Sequence, residues 1–336
     1  MTALASTAEP LVDAHGRAIR YLRISVTDRC DLRCRYCMDE RMSFLPRSAL
    51  LRLEEIAVIA ERFITRGVTK VRLTGGEPLV RRDVGELIDR LGRHVGAGLE
   101  ELTLTTNGVR LADHAERLRA AGVRRVNVSL DSLDPATFRH ITRHGDLDQV
   151  LRGVFAACDA GLRVKINAVA LRGLNDAELP DLLAWVAEHG FDLSLIETMP
   201  LGRVEADRAD HFLPLSAAFD ALKQRFALSP AAHRTGGPAR YWLVDGGPTR
   251  LGLISPLTAN FCDGCNRVRL TTEGKLYLCL GHDDQVDLKA ALRDGGIAAL
   301  DAAIDAGLAL KPARHAFDVA PGASPAVSRH MSVTGG

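Results

Sequence analysis

A chain of 336 residues, 46% hydrophobic and 25% charged, has the make-up of a globular enzyme large enough for more than one unit. Its formal net charge of +1 provides no global field for nucleic acid or an acidic membrane surface, so neither is expected as a partner. No apolar run reaches the roughly 20 residues needed to cross a bilayer, and residues 1–15 read as a flexible leader without a signal peptide, which implies a cytoplasmic chain.

In chain order, β-like apolar runs alternate with amphipathic helical stretches. The runs are Tyr21–Val26, Lys70–Thr74, Glu101–Thr105, Arg124–Leu130, Arg163–Ala170 and Phe191–Met199. Between them lie helical segments at Leu53–Thr65, Val84–Val95, Ala112–Ala121, Asp148–Ala160 and Ala177–His189. Gly67, Gly122, Gly161 and Gly190 stand where helix C-caps are needed. Such alternation predicts a parallel sheet with outer helices. Six units cannot close an eight-stranded barrel. The expected fold is therefore α/β: a partial (β/α)6 TIM-like barrel over 16–210, with a small C-terminal α+β region over 211–310 covering its open side. A helix is expected near Ser216–Phe226, and 311–336 reads as a flexible tail ending in Gly335-Gly336.

The seven cysteines, with no export signal, argue against a disulfide framework. Cys158 lies alone in an Ala-rich helical stretch and reads as a core thiol. The other six form two triplets. Cys30, Cys34 and Cys37 follow the first strand, at the strand end where such folds place chemistry. Three thiolates can hold three irons of a [4Fe–4S] cluster and leave the fourth open; three cysteines with a distant histidine could instead hold zinc. Cys262, Cys265 and Cys279 flank two strand-like runs, Arg267–Thr271 and Lys275–Leu280, joined by Glu273-Gly274. Pairing Thr272 with Lys275 would set Cys279 opposite Val268 and bring the thiols together. With His282 nearby, a zinc ribbon and a second iron–sulfur cluster fit this spacing equally. Arg267 and Arg269 alternate onto one strand face and suit bidentate phosphate contacts.

Leu22-Arg23-Ile24-Ser25-Val26-Thr27-Asp28-Arg29-Cys30, followed by Cys34-Arg35-Tyr36-Cys37-Met38, resembles the radical S-adenosylmethionine (SAM) signature. The likeness runs from about Gly16 to the end and is nearest to the GTP 3′,8-cyclase family of molybdenum cofactor biosynthesis. It implies two [4Fe–4S] clusters, on Cys30, Cys34 and Cys37 and on Cys262, Cys265 and Cys279. It assigns Tyr36, Gly76, Ser129 and Met199 to SAM, and Arg23, Arg72, Thr105, Lys165, Arg267, Val268 and Arg269 to GTP. It further implies that cofactors, not a side-chain acid or base, carry the chemistry. An external electron donor and a downstream cyclic pyranopterin monophosphate synthase are the partners it implies, and the Gly335-Gly336 end matches a tail that reaches the active site.

Asp31, Asp39 and Ser194 depart from the family pattern; Ser194 matters most, because an arginine is common there. Two other functions compete: a peptide-modifying radical SAM enzyme with an auxiliary cluster, and a non-catalytic zinc or iron–sulfur module. Enzymes of this size are commonly dimers, so a homodimer is a candidate assembly.

Overall fold

Six parallel strands lie in sequence order in one sheet of the computed structural model: β1 (Tyr21–Ser25), β2 (Lys70–Thr74), β3 (Glu101–Thr106), β4 (Arg125–Ser129), β5 (Arg163–Val169) and β6 (Asp192–Ile196). The structure describes residues 10–335 apart from 203, 205–208, 236, 260 and 318–324. Residues 1–9 of the expected leader, 318–324 of the expected tail and Gly336 lie outside the described residues. The connecting helices are α1 (Leu53–Thr65), α2 (Val84–Gly92), α3 (Leu111–Ala120), α4 (Pro135–Thr142), α5 (Leu147–Asp159) and α6 (Leu179–Glu188).

Helix α1 shows why these segments are helical. Ile56, Ile59, Ala60, Phe63 and Ile64 recur at helical spacing and are buried against the sheet. Each large apolar side chain so buried contributes roughly 1.5–3 kcal/mol. Glu55 accepts from the Arg52 backbone N–H at 2.7 Å and satisfies an orphan donor of the first turn. The glycines expected at C-caps, Gly67, Gly122, Gly161 and Gly190, all have φ between 69° and 94°.

Helix α4 is absent from the sequence reading. It is short and buries only Phe138, Ile141 and Thr142, so its apolar periodicity is faint. Its start is nevertheless encoded, because Asp134 caps the Thr137 N–H at 2.7 Å and Pro135 opens the first turn.

Beyond β6 the chain does not build a separate sheet. After α7 (Leu215–Lys223) come β7 (Leu228–Pro230), β8 (Arg240–Val244) and β9 (Arg250–Ile254); β9 pairs parallel with β6 and extends that edge. Strands β10 (Arg267–Leu270), β11 (Lys275–Tyr277) and β12 (Gln285–Asp287) extend the other edge, with β10 parallel to β1. The partial barrel is thus prolonged at both edges by C-terminal strands. Helix α8 (Leu288–Ala309) is tied to α1 by Arg62–Asp301 (2.6 Å) and Arg293–Glu55 (2.7 Å), and α9 (Met331–Thr334) ends the described chain.

The β10–β11 hairpin departs from the predicted register by one residue. Arg269 pairs with Tyr277 and Leu270 with Leu276. The turn is closed by Thr271 and Lys275 around a three-residue loop whose Gly274 has φ 86°. Continuing that register places Cys279 opposite Arg267 rather than Val268.

Candidate active site

The loop after β1 carries the first triplet and is fixed from two sides. On one side, Gly76 N–H donates to the Thr27 carbonyl and Glu77 N–H to the Arg29 carbonyl, each at 2.8 Å. A Cβ at Gly75 would collide with the Thr27 carbonyl, and one at Gly76 with the Arg29 backbone. Close packing of the chain against its own cysteine loop therefore requires these glycines, irrespective of any ligand. On the other side, the N–H groups of Arg33 and Arg35 donate to Thr142 and Ile141 at 3.1 and 3.0 Å, satisfying carbonyls at the end of α4.

Donors point at the first thiols: Leu32 N–H lies 3.4 Å and Asn107 Nδ2 3.7 Å from Cys30 Sγ. Burial, then Glu77 and Asp31, raise the Cys30 pKa; burial, then Asp131, raise that of Cys34. Neutral thiols are costly to ionise there, whereas a cluster iron would hold them as thiolates. Hydrogen bonds to the sulfurs and an excluded-solvent wall suit that group. Burial lifts Glu77 to about pKa 7, although it accepts from Asn107 N–H (2.6 Å), Leu79 N–H (3.0 Å) and Thr106 Oγ1 (2.8 Å). Burial likewise lifts Asp131 to about 6; it accepts from Tyr36 OH and Val169 N–H, both at 2.8 Å. Glu197, just past β6, is an internal staple that accepts from Leu215 N–H, Leu257 N–H and the Thr258 hydroxyl.

The second triplet lies on the turn before β10 and just past β11. Cys262, Cys265 and Cys279 line one cavity. Burial pushes Cys265 up, but the charges of Arg267 and Lys311 outweigh it and bring its pKa to about 7. Lys311 Nζ is 3.6 Å from Cys265 Sγ and donates to the Leu278 carbonyl at 2.6 Å. His282, the fourth ligand of a zinc ribbon, instead sets Nε2 2.9 Å from the Arg314 carbonyl. Among the described residues, no three of His, Cys, Asp and Glu converge closely enough for one metal ion.

The cavity, about 1120 Å³ including its mouth, runs through the barrel interior and takes walls from both sheet edges. Of the residues assigned to GTP, Arg23, Arg72, Lys165, Arg267 and Arg269 line it. Thr105 stands behind, accepting from Arg72 Nη1 at 3.3 Å. Val268 points into the hydrophobic core, so only its backbone can face a ligand. Of the SAM assignments, Met199 lines the cavity, while Tyr36, Gly76 and Ser129 sit at or beyond the carboxyl ends of the strands. Ser194 is fully buried on β6 with no partner for its hydroxyl.

Burial and the neighbouring Arg125, Arg72 and Lys70 lower Lys165 to about pKa 7, and its Nζ donates to Tyr241 OH at 2.6 Å. Burial and Arg267 lower Arg269 to about 10. No carboxylate lines this cavity among the described residues. Lys70 and Arg125 are paired with Glu101 behind the wall, but Arg23, Arg72, Lys165, Arg267 and Arg269 have no salt-bridge partner among the described residues, and such cations call for an anion.

The sequence reading missed Tyr21, Lys70, Arg125 and Tyr241, all in the cavity wall. One signal was available: only six of the 43 basic residues are lysine, and Lys70 and Lys165 are two of them.

The expected flexible tail is placed in part. Arg329 stacks on Tyr277 at 4.1 Å and donates to the Leu280 carbonyl at 2.7 Å, anchoring the segment to the second cysteine loop. The Gly335 carbonyl accepts from Arg269 Nη1 at 3.0 Å.

Residues 24–186 match the radical SAM superfamily and 191–317 the family described as Molybdenum Cofactor Synthesis C. The chain is 57% identical to the GTP 3′,8-cyclase of Erythrobacter litoralis, over 98% of this chain and 99% of that one. It is 56% identical to the GTP 3′,8-cyclase of Rhizobium meliloti, over 99% and 96%. The crystal structure of Streptococcus suis SuiB bound to S-adenosylmethionine shares the fold, with a TM-score of 0.57 at 16% identity over 80% of this chain. The chain spans 62% of that structure's length. The chain belongs to the GTP 3′,8-cyclase family of radical SAM proteins.

Proposed function

We propose that this enzyme joins C3′ of the ribose to C8 of the guanine in GTP, giving (8S)-3′,8-cyclo-7,8-dihydroguanosine 5′-triphosphate for molybdenum cofactor biosynthesis. The observation that carries this reading is one cavity shared by a cysteine triplet and by five cations, Arg23, Arg72, Lys165, Arg267 and Arg269, with no salt-bridge partner among the described residues.

Cys30, Cys34 and Cys37 would hold one [4Fe–4S] cluster, with Tyr36, Gly76, Ser129 and Met199 around SAM; Cys262, Cys265 and Cys279 would hold a second. When bound, the first cluster and SAM supply the 5′-deoxyadenosyl radical that removes the 3′ hydrogen. The chain's own task is binding and orientation. Arg23, Arg72, Lys165, Arg267 and Arg269 neutralise the triphosphate, and Arg269 is ready for it without reorganisation because it is already desolvated. Lys165 Nζ holds its proton once an anion arrives, with Tyr241 OH fixing its direction. Thr105 orients Arg72. Phe261, Pro238 and Leu280 line the same cavity and keep water from a reactive carbon centre. An external reductant, the downstream cyclic pyranopterin monophosphate synthase and a cytoplasmic setting complete the reading.

The test is anaerobic: reconstituted protein with dithionite, SAM and GTP, followed by chromatography and iron analysis. Cyclised nucleotide formed in step with 5′-deoxyadenosine, at about eight irons per chain, is the expected result. Zinc without iron, or 5′-deoxyadenosine whose formation ignores GTP, would sink it.

A further inference from the structure

Tyr21 opens β1, in register with Lys70 of β2 on one side and Arg267 of β10 on the other. It lines the cavity and is only 3% exposed, yet its hydroxyl has no hydrogen-bond partner among the described residues. A buried tyrosine hydroxyl nearly always finds one, because leaving it orphaned costs folding free energy. Its surroundings explain the vacancy of partners: Lys70 Nζ lies 5.0 Å and Arg72 Cζ 5.6 Å from the ring centroid. These groups can donate but cannot accept.

Two neighbours share the condition. Arg23 Nε and Arg72 Nε are also buried without partners, and both side chains line the same cavity. Among the described residues, three donors from β1 and β2 are left unsatisfied where no carboxylate lines the wall, the nearby Glu101 being taken up by Lys70 at 2.6 Å and by Arg125. What would satisfy all three is an acceptor with several oxygens and negative charge. The cavity's other phenol offers a contrast, since Tyr241 OH already accepts from Lys165 at 2.6 Å.

We propose that Tyr21 is a further substrate-binding residue whose hydroxyl donates a hydrogen bond to a phosphate oxygen of the nucleoside triphosphate. This rests on the GTP reading above and adds a contact to it. The position favours the phosphate arm over the reacting carbon. Tyr21 starts β1, whereas the first cysteine triplet follows its far end, and a five-residue strand spans on the order of 15 Å. The ring has a second use, because its face holds the Lys70 and Arg72 cations beside the site.

Tyr21→Phe keeps the ring and its cation contacts and removes only the donor. In reconstituted enzyme, KM and Kd for GTP should rise about tenfold, as expected for losing one hydrogen bond to a charged group. kcat should hold, and guanosine, which lacks phosphates, should bind as it does to the parent. Equal weakening of GTP and guanosine would overturn the proposal in favour of packing. A fall in kcat at unchanged KM would overturn it in favour of a chemical role. If the parent binds GTP and Tyr21→Phe binds it equally well, the proposal alone fails; if the parent binds no GTP, the GTP reading fails with it. Tyr21→Leu, which also removes the aromatic face, should weaken GTP further than Tyr21→Phe, and an equal effect would contradict the cation-holding role.

Discussion

Cys30 and Cys34 are half-buried beside carboxyl groups, Glu77 and Asp31 at the first and Asp131 at the second, whereas Cys265 faces the Arg267 guanidinium and the Lys311 ammonium. Sequence spacing makes the two triplets look alike; electrostatics separates them. SAM brings a sulfonium cation, and the acidic surroundings of the first site suit it. GTP brings a polyanion, and the second site opens into a cavity walled by Arg23, Arg72, Lys165, Arg267 and Arg269. On the proposed reading, the surrounding charge, more than the thiols themselves, would distinguish a site that generates a radical from one that holds the nucleotide.

The sharpest way to break this contrast is to remove one thiol from each site. Cys34→Ala should abolish 5′-deoxyadenosine formation, to below a thousandth of the parent rate. Cys265→Ala should keep SAM cleavage while losing the cyclised nucleotide. Chromatography of both products checks the pair, and loss of both products in both variants would erase the division of labour.

Next in size, Arg269→Ala should weaken GTP about 100-fold, as expected when a desolvated charge-assisted contact is lost, and leave SAM affinity within twofold. Equilibrium binding of each ligand decides it. At the first site, Gly76→Ala forces a methyl group onto the Arg29 backbone. It should destabilise the chain by about 1–3 kcal/mol and halve the iron content from about eight to about four, read from denaturant midpoints and iron analysis.

The smallest effect is a proton. Lys165, lowered to about pKa 7 by burial and by Arg125, Arg72 and Lys70, is mostly neutral at pH 8 in the free enzyme. A bound triphosphate favours the ammonium and raises that pKa, so binding at pH 8 should take up close to one proton. Uptake should fade as the pH drops below 7, where the lysine is already charged. Calorimetry in buffers of differing ionisation enthalpy measures it, and Lys165→Met should abolish it.

Much of this was legible in the sequence. Strands β1–β6 fall within the predicted runs, give or take a terminal residue at β3, because alternating and helical periodicities repeat over short windows. Helix α4 was not legible, since eight residues with two large buried apolar side chains give too little pattern. Strand β9 was masked by the Gly246-Gly247-Pro248 run just before it and is made a strand by pairing with β6. The one-residue error in the β10–β11 register came from reading Glu273-Gly274 as a two-residue turn, when Gly274 at φ 86° closes a three-residue loop. Gly76 was legible only through the resemblance, as a SAM residue; the structure shows it and Gly75 demanded first by the adjacent backbone.

By itself the sequence determined the cysteine triplets, the β/α alternation and the radical SAM resemblance, because each is written within a few neighbouring residues. Tertiary structure decided that Arg267 and Arg269, some 246 positions beyond Tyr21 and Arg23, lie beside them in parallel register. It also decided that Lys165 meets Tyr241 over the two intervening strands and that Tyr21 buries its hydroxyl near Arg23, Lys70, Arg72 and Arg267. The physical reason is that side chains alternate along a strand, so strand order and register choose which of them share a cavity, and that choice is made between segments far apart in the chain.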